Sequence, residues 1–211
     1  MTLDLRALTL APQGGPPLFP ALSLSVRAGE VATVMGPSGI GKSTLLDAIG
    51  GHLAPRFRLQ GDILLDGVSL LPLPPESRRI GLMFQEPLLF PHLSVGENLG
   101  FGLSPALRGR AARRAAVEAA LDRAGLAGFF DRDPGTLSGG QRARAALMRA
   151  LLAQPRALLL DEPFSRLDAG LRAEIRAFTF DHARAEGLPI LLVTHDESDA
   201  EAAGGPVHLL A

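Results

Sequence analysis

Apolar and polar residues alternate with a period of two near the start of the chain and follow a helical period in the middle, and strand patterns come first and last. Residues 3–10 alternate weakly and residues 21–26 clearly, the pattern of strands with one buried face. Residues 30–35, 80–84, 157–160 and 189–193 are short apolar runs, as expected of strands covered on both faces. Residues 59–65 followed by Asp66-Gly67 predict a strand and a turn, and residues 207–210 a closing strand. Helical period runs over 43–50, 110–124, 139–153, 169–186 and 197–203, while Pro72, Pro74 and Pro75 mark a loop. Buried strands alternating with helices predict an α/β fold with a mainly parallel sheet. An antiparallel β subdomain is expected at the N-terminus and a helical subdomain inserted at about 86–141, all within one domain over 1–211.

Bulk properties narrow the chemistry. The chain has 211 residues, 46% hydrophobic and 20% charged, ordinary for a globular protein. A formal net charge of −1 gives no electrostatic case for nucleic acid or an anionic membrane. There is no cysteine, so disulfides and thiolate chemistry are excluded. No stretch approaches the roughly 20 apolar residues that cross a bilayer, and the N-terminus reads directly as strand, so no signal peptide is expected. Arg108, Arg110, Arg113 and Arg114 read as a solvated helix face.

Of 21 basic residues only Lys42 is a lysine. It falls in Gly36-Pro37-Ser38-Gly39-Ile40-Gly41-Lys42-Ser43-Thr44, which fits the phosphate-binding loop pattern G-x-x-x-x-G-K-[ST]. The segment follows an apolar strand and opens a helix, the context this motif needs. Glycines let the backbone curl so that N–H groups point inward as an anion nest, and the helix N-terminus adds its positive pole. Lysine, a compact charge on a flexible stem, suits the β- and γ-phosphates of ATP. Ser43 offers a hydroxyl to Mg²⁺, which takes phosphate oxygens and few protein ligands. A P-loop NTPase core follows.

The apolar run ending in Asp161-Glu162 delivers two carboxylates at a strand's C-terminal end, where α/β sheets bind ligands. Asp161 is expected to hold Mg²⁺ and Glu162 to act as general base on the attacking water.

With these residues in place, the chain resembles the ATPase subunits of ABC transporters. Leu137-Ser138-Gly139-Gly140-Gln141 is similar to their signature motif and ends 20 residues before Asp161. Ser165-Arg166-Leu167-Asp168 is similar to their D-loop, Thr194-His195-Asp196 to their switch histidine, and Gln85 to their Q-loop glutamine. The ordered set covers essentially the whole chain. It resembles the bacterial importer type, nearest to the Ynj type and then to thiamine, polyamine and ferric-iron importer ATPases.

The resemblance implies that two copies join head to tail, with Ser138, Gly139, Gly140 and Gln141 of one covering the γ-phosphate held by the other and Asp168 at the contact. It implies that His195 contacts the γ-phosphate and that Gln85 senses Mg²⁺ and the attacking water. Leu88, Leu89 and Phe90 are then apolar anchors for a short helix of an integral-membrane permease. A periplasmic or extracellular substrate-binding protein acts indirectly, and the chain is expected as a peripheral subunit on the cytoplasmic face of the membrane. The alternative is an ABC ATPase without a transport role, in cofactor assembly or on the ribosome. His52, His92, His182 and His208 are assigned no role.

The chain departs from the family pattern twice. Its relatives commonly stack adenine on an aromatic after the first strand, where Leu10-Ala11-Pro12-Gln13-Gly14 has none, so GTP is expected to compete. Little follows residues 207–210, where many importer ATPases continue, so no regulatory domain is expected.

Overall fold

The computed structural model describes all 211 residues, Met1–Ala211. The elements in chain order are β1 (Thr2–Pro12), β2 (Leu22–Arg27), β3 (Val31–Met35), α1 (Lys42–Gly50), β4 (Phe57–Leu65), β5 (Val68–Ser69), α2 (Pro75–Arg78) and β6 (Ile80–Met83). They continue with α3 (Val95–Gly100), α4 (Arg110–Arg123), α5 (Gly139–Leu152), β7 (Ala157–Asp161), α6 (Ala169–Ala185), β8 (Ile190–Thr194), α7 (Glu197–Ala203) and β9 (Val207–Leu209). The chain divides into two compact units, Met1–Leu82 with Arg156–Glu162 and Phe180–Ala211, and Met83–Pro155 with Pro163–Thr179.

The first unit carries an antiparallel sheet in the order β2-β1-β4-β5, and the second sheet has the order β6-β7-β8-β3-β9. β3 pairs in parallel with β8 and β9, and β7 with β8. In β2, Leu22, Leu24 and Val26 turn inward while Ser23, Ser25 and Arg27 face solvent. β8 is buried at all five positions, which is why it reads as an unbroken apolar run. Leu5, Leu10, Phe19, Leu46, Ile49, Ile63, Leu159 and Val193 belong to one apolar core, so α1 is seated between the two sheets.

The weak alternation of β1 has a structural cause. Its register against both neighbours shifts after Leu5 and Arg6, and Ala7 takes a left-handed φ of 45°. One extra residue reverses the inward parity, so Leu3 and Leu5 point into the core before the shift and Leu8 and Leu10 after it. Across the bulge, a β-carbon on Gly61 would lie 2.5 Å from the carbonyl oxygens of Arg6 and Ala7, so only glycine fits.

Two small elements depart from the sequence expectation. Pro74 and Pro75 do not end regular structure but start α2, because proline is preset for a helix's first turn. Asp66 (φ 51°) and Gly67 (φ 78°) form a two-residue hairpin into β5, a strand of two residues that shows no periodicity.

In the second unit, α3 and α5 each begin with a reciprocal capping box, Ser94 with Glu97 and Ser138 with Gln141. Val95, Leu99, Val117, Leu121, Leu126, Leu147 and Met148 are buried. Of the arginine cluster, Arg113 donates to the carbonyls of Gly100, Ser104 and Leu107. Arg114 pairs with Glu118 and Asp131 and lies 4.0 Å from the Phe130 ring centroid.

Candidate nucleotide site

The first unit assembles its chemistry at the C-terminal ends of three neighbouring strands. β3 leads into residues 36–41, where Gly39 (φ 84°) and Gly41 (φ 107°) take backbone conformations that L side chains rarely adopt. Gly41 caps α1 without any side-chain bond to the first turn. The amide donors there are open to a ligand, and the helix presents its positive pole. A cavity of about 240 Å³ lies above them, lined by Ser38, Gly39, Gly41, Ser43, Thr44 and Glu162 together with Lys42.

Lys42 is only 6% exposed. Its Nζ donates to the carbonyls of Gly36 at 2.8 Å and Pro37 at 3.0 Å. The ammonium is thus held by carbonyls of the loop it belongs to.

β7 brings Asp161 to the same place, where it accepts a hydrogen bond from Ser43. Burial raises the Asp161 carboxyl above its ordinary range. The Ser43 bond opposes that rise, the charges of Glu162 and Asp47 add to it, and Lys42 opposes it. A desolvated carboxylate beside a hydroxyl is a hard oxygen pair suited to Mg²⁺. No group of three or more acidic, histidine or cysteine ligands occurs in the chain, so remaining ligands would come from phosphate and water.

Glu162 follows with φ 44°, an unusual value for a side chain larger than glycine. Its amide donates to Val193 at 2.9 Å, tying it to β8. That geometry turns Glu162 away from the strand direction and toward His195, whose Nδ1 lies 3.1 Å from Glu162 Oε1. Strain of this kind persists where the surroundings determine it.

The sequence reading missed the support beneath His195. Thr194 Oγ1 accepts from the amide of Asp196 at 3.0 Å and donates to Asp199 Oδ2 at 3.3 Å. Asp199 is 1% exposed and sits on α7. Asp199 is one of three acids among the seven residues of α7, so no sequence signal singles it out. It also missed Phe57, which strand pairing sets opposite Pro12, with the Arg56 guanidinium 5.3 Å from the ring centroid. The first strand's turn has no aromatic of its own, yet one arrives from 45 positions away in sequence.

The second unit holds the other expected residues. Ser138 Oγ accepts from the amide of Gln141 at 3.2 Å, and Gln141 Oε1 accepts from the amide of Ser138 at 3.0 Å. Gly139 and Gly140 form the first turn of α5, and a β-carbon on Gly140 would lie 2.5 Å from Leu171 Cδ1. Asp168 Oδ1 accepts from the amide of Leu171 at 3.0 Å, capping α6. Gln85 Nε2 donates to Ser165 Oγ at 3.0 Å, and Glu86 pairs with Arg166.

A groove of about 460 Å³ is lined by Glu86, Leu88, Leu89, Arg142, Arg166 and Leu167 among others. Phe90 stands apart from these, packed at 5.0 Å on Phe101 and 5.6 Å from the Arg149 guanidinium. Asn98 holds this segment in shape: it accepts from the amide of Phe90 and donates to the carbonyls of Phe90, Leu93 and Ser94.

A P-loop cavity flanked by a strand-end Asp-Glu pair and a histidine defines the fold and site of an ATP-binding ATPase. The chain belongs to the ABC transporter family, whose model matches residues 19–165. It is 51% identical over 185 residues to the ABC transporter ATP-binding protein YnjD of Escherichia coli, covering 88% of this chain and 85% of that protein. It is 54% identical over 173 residues to the thiamine import ATP-binding protein ThiQ of Cereibacter sphaeroides, covering 82% and 74%. Among solved structures, CbiO1 of Clostridium perfringens, part of the ABC transporter complex CbiONQ, matches 99% of this chain and 84% of its own. That match has a TM-score of 0.85 at 29% identity.

Proposed function

We propose that this chain is the ATP-hydrolysing subunit of a bacterial ABC importer, working as a homodimer with ATP at the interface. The observation that carries the reading is the convergence of Lys42, Ser43, Asp161, Glu162 and His195 on one cavity-bearing sheet end. Residues 36–44 bind the phosphates through main-chain amides and Lys42. Glu162 takes the proton of the attacking water, and His195 orients Glu162 and meets the γ-phosphate. Ser43 and Asp161 would hold Mg²⁺, which would supply positive charge among the phosphate oxygens.

Ser138, Gly139, Gly140, Gln141 and Asp168 meet the nucleotide held by the second copy. The groove at Glu86, Leu88 and Leu89 takes a short helix from an integral-membrane permease, which a substrate-binding protein serves in turn. No helix of the chain is long and apolar enough to cross a membrane. Spanning is therefore the permease's task in this reading, and the chain acts at the cytoplasmic face of the inner membrane. Similarity to thiamine import proteins and to a member of an assembled transporter complex supports it.

The test is Glu162→Gln with saturating MgATP, followed by light scattering. A stable dimer that retains unhydrolysed ATP is expected. A variant that binds ATP yet stays monomeric overturns the sandwich arrangement.

A further inference from the structure

Arg78 is 7% exposed and sits at the far end of the phosphate-loop helix α1. Every hydrogen bond it makes goes to a main-chain carbonyl. One guanidinium nitrogen, Nη1, donates to both Ala48 and Ile49 at 2.8 Å, and Nε donates to Leu73 at 3.0 Å. Ala48 and Ile49 lie in the last turn of α1, whose carbonyls have no partner within the helix. The backbone is shaped around this cation: Gly51 ends the helix at φ 89°, and a β-carbon there would lie 2.8 Å from Arg78 Nε.

A buried guanidinium without a carboxylate is costly, and burial depresses its proton affinity accordingly. What offsets the cost is the negative pole of α1. The other pole of the same helix carries the open amides under the phosphate cavity. The helix has nine residues, so the two poles are about 14 Å apart.

We propose that Arg78 is a positioning residue for nucleotide binding, which clamps the C-terminal end of α1 and neutralises its negative pole, so that the opposite pole is held in place and at full strength for the phosphates. The proposal rests on residues 36–44 being the nucleotide site. Arg78 touches no substrate. Its bearing on the nucleotide passes through the end of α1, so it acts on affinity and leaves the hydrolytic groups Glu162 and His195 untouched.

The experiment compares wild type, Arg78→Met, Arg78→Lys and Lys42→Ala as full-length chains. Calorimetry measures binding of MgATP, MgADP and adenosine, steady-state assays give KM and kcat, and circular dichroism checks folding. Arg78→Met is expected to weaken MgATP binding about tenfold and MgADP less, with kcat changed less than about twofold. Arg78→Lys, which keeps the charge and loses the fork, is expected to recover part of that affinity. A folded Arg78→Met with wild-type affinity overturns the proposal, as does one in which kcat falls and KM stays. Should Arg78→Met fail to fold, Arg78→Lys decides: weaker MgATP binding at retained kcat supports the proposal, and wild-type affinity overturns it. Failure of the underlying reading looks different, since wild type and Lys42→Ala would then bind MgATP equally.

Discussion

Two helix N-termini in this chain have glycines at or beside their first turn, and they are built in opposite ways. α1 begins at Gly41, which offers no side-chain bond, so its first amides stay open beneath a cavity. α5 begins at Ser138, whose hydroxyl takes the amide of Gln141 while Gln141 takes the amide of Ser138. The first end is stable only in part by itself and has the greater capacity for an anion. The second is closed on itself, leaving Gly139 and Gly140 as its free first-turn donors. Glycine content alone does not make an anion site: what matters is whether the protein has already satisfied the donors.

The sharpest way to break this comparison is Lys42→Ala. It removes the cation from the open end, and ATP hydrolysis is expected to fall by roughly 10²–10³-fold, measured by phosphate release. A loss under tenfold would mean that the amides alone suffice. Ser138→Ala acts on the closed end, where a cap contributes about 1 kcal/mol. The expected readout is a melting temperature lower by about 2–4 °C. An unchanged melting temperature would show that α5 does not depend on its cap.

Asp161→Asn has the reverse sign. Burial disfavours the Asp161 charge while nucleotide is absent, so the neutral amide is expected to raise the melting temperature of the nucleotide-free protein. The same substitution should lower hydrolysis, and a variant less stable than wild type would refute the first half.

The smallest effect concerns Asp66, far from either helix end. Burial is the largest single influence and pushes its carboxyl up, but the Thr2 amide, the Arg156 guanidinium and the N-terminal ammonium together outweigh it and hold the group below the ordinary carboxylate range. A depressed folded value contributes stability at pH above the ordinary range, and that contribution is lost as pH falls through the folded value. Because Asp66 is largely solvated, the contribution stays under about 1 kcal/mol. Arg156→Gln is expected to shrink the acid-side loss of stability, measured by thermal melts across pH.

Legibility in the sequence followed the range of the physics involved. β8 reads correctly from the four apolar residues Ile190, Leu191, Leu192 and Val193 because burial on both faces leaves an unbroken apolar run. Residues 36–44 read correctly because an anion nest needs its glycines and lysine at fixed local spacing. β1 read weakly because its bulge at Ala7 splits one strand into two parities. α2 was read as loop because its prolines punctuate in most settings and start a helix only in some. Phe57 and Asp199 were missed because their importance depends on partners brought up by strand pairing and helix packing.

The sequence by itself determined the longer elements, the phosphate loop, the order of the acidic pair and histidine, and hence the class of chemistry. All of these are set by local periodicity and short spacings. Only the tertiary structure decided that Glu162 is turned by a left-handed backbone toward His195, that Asp161 is desolvated against Ser43, and that Arg78 clamps the far end of α1. Those facts rest on which strands lie side by side and on what water is excluded, and neither is a property of any short stretch of chain.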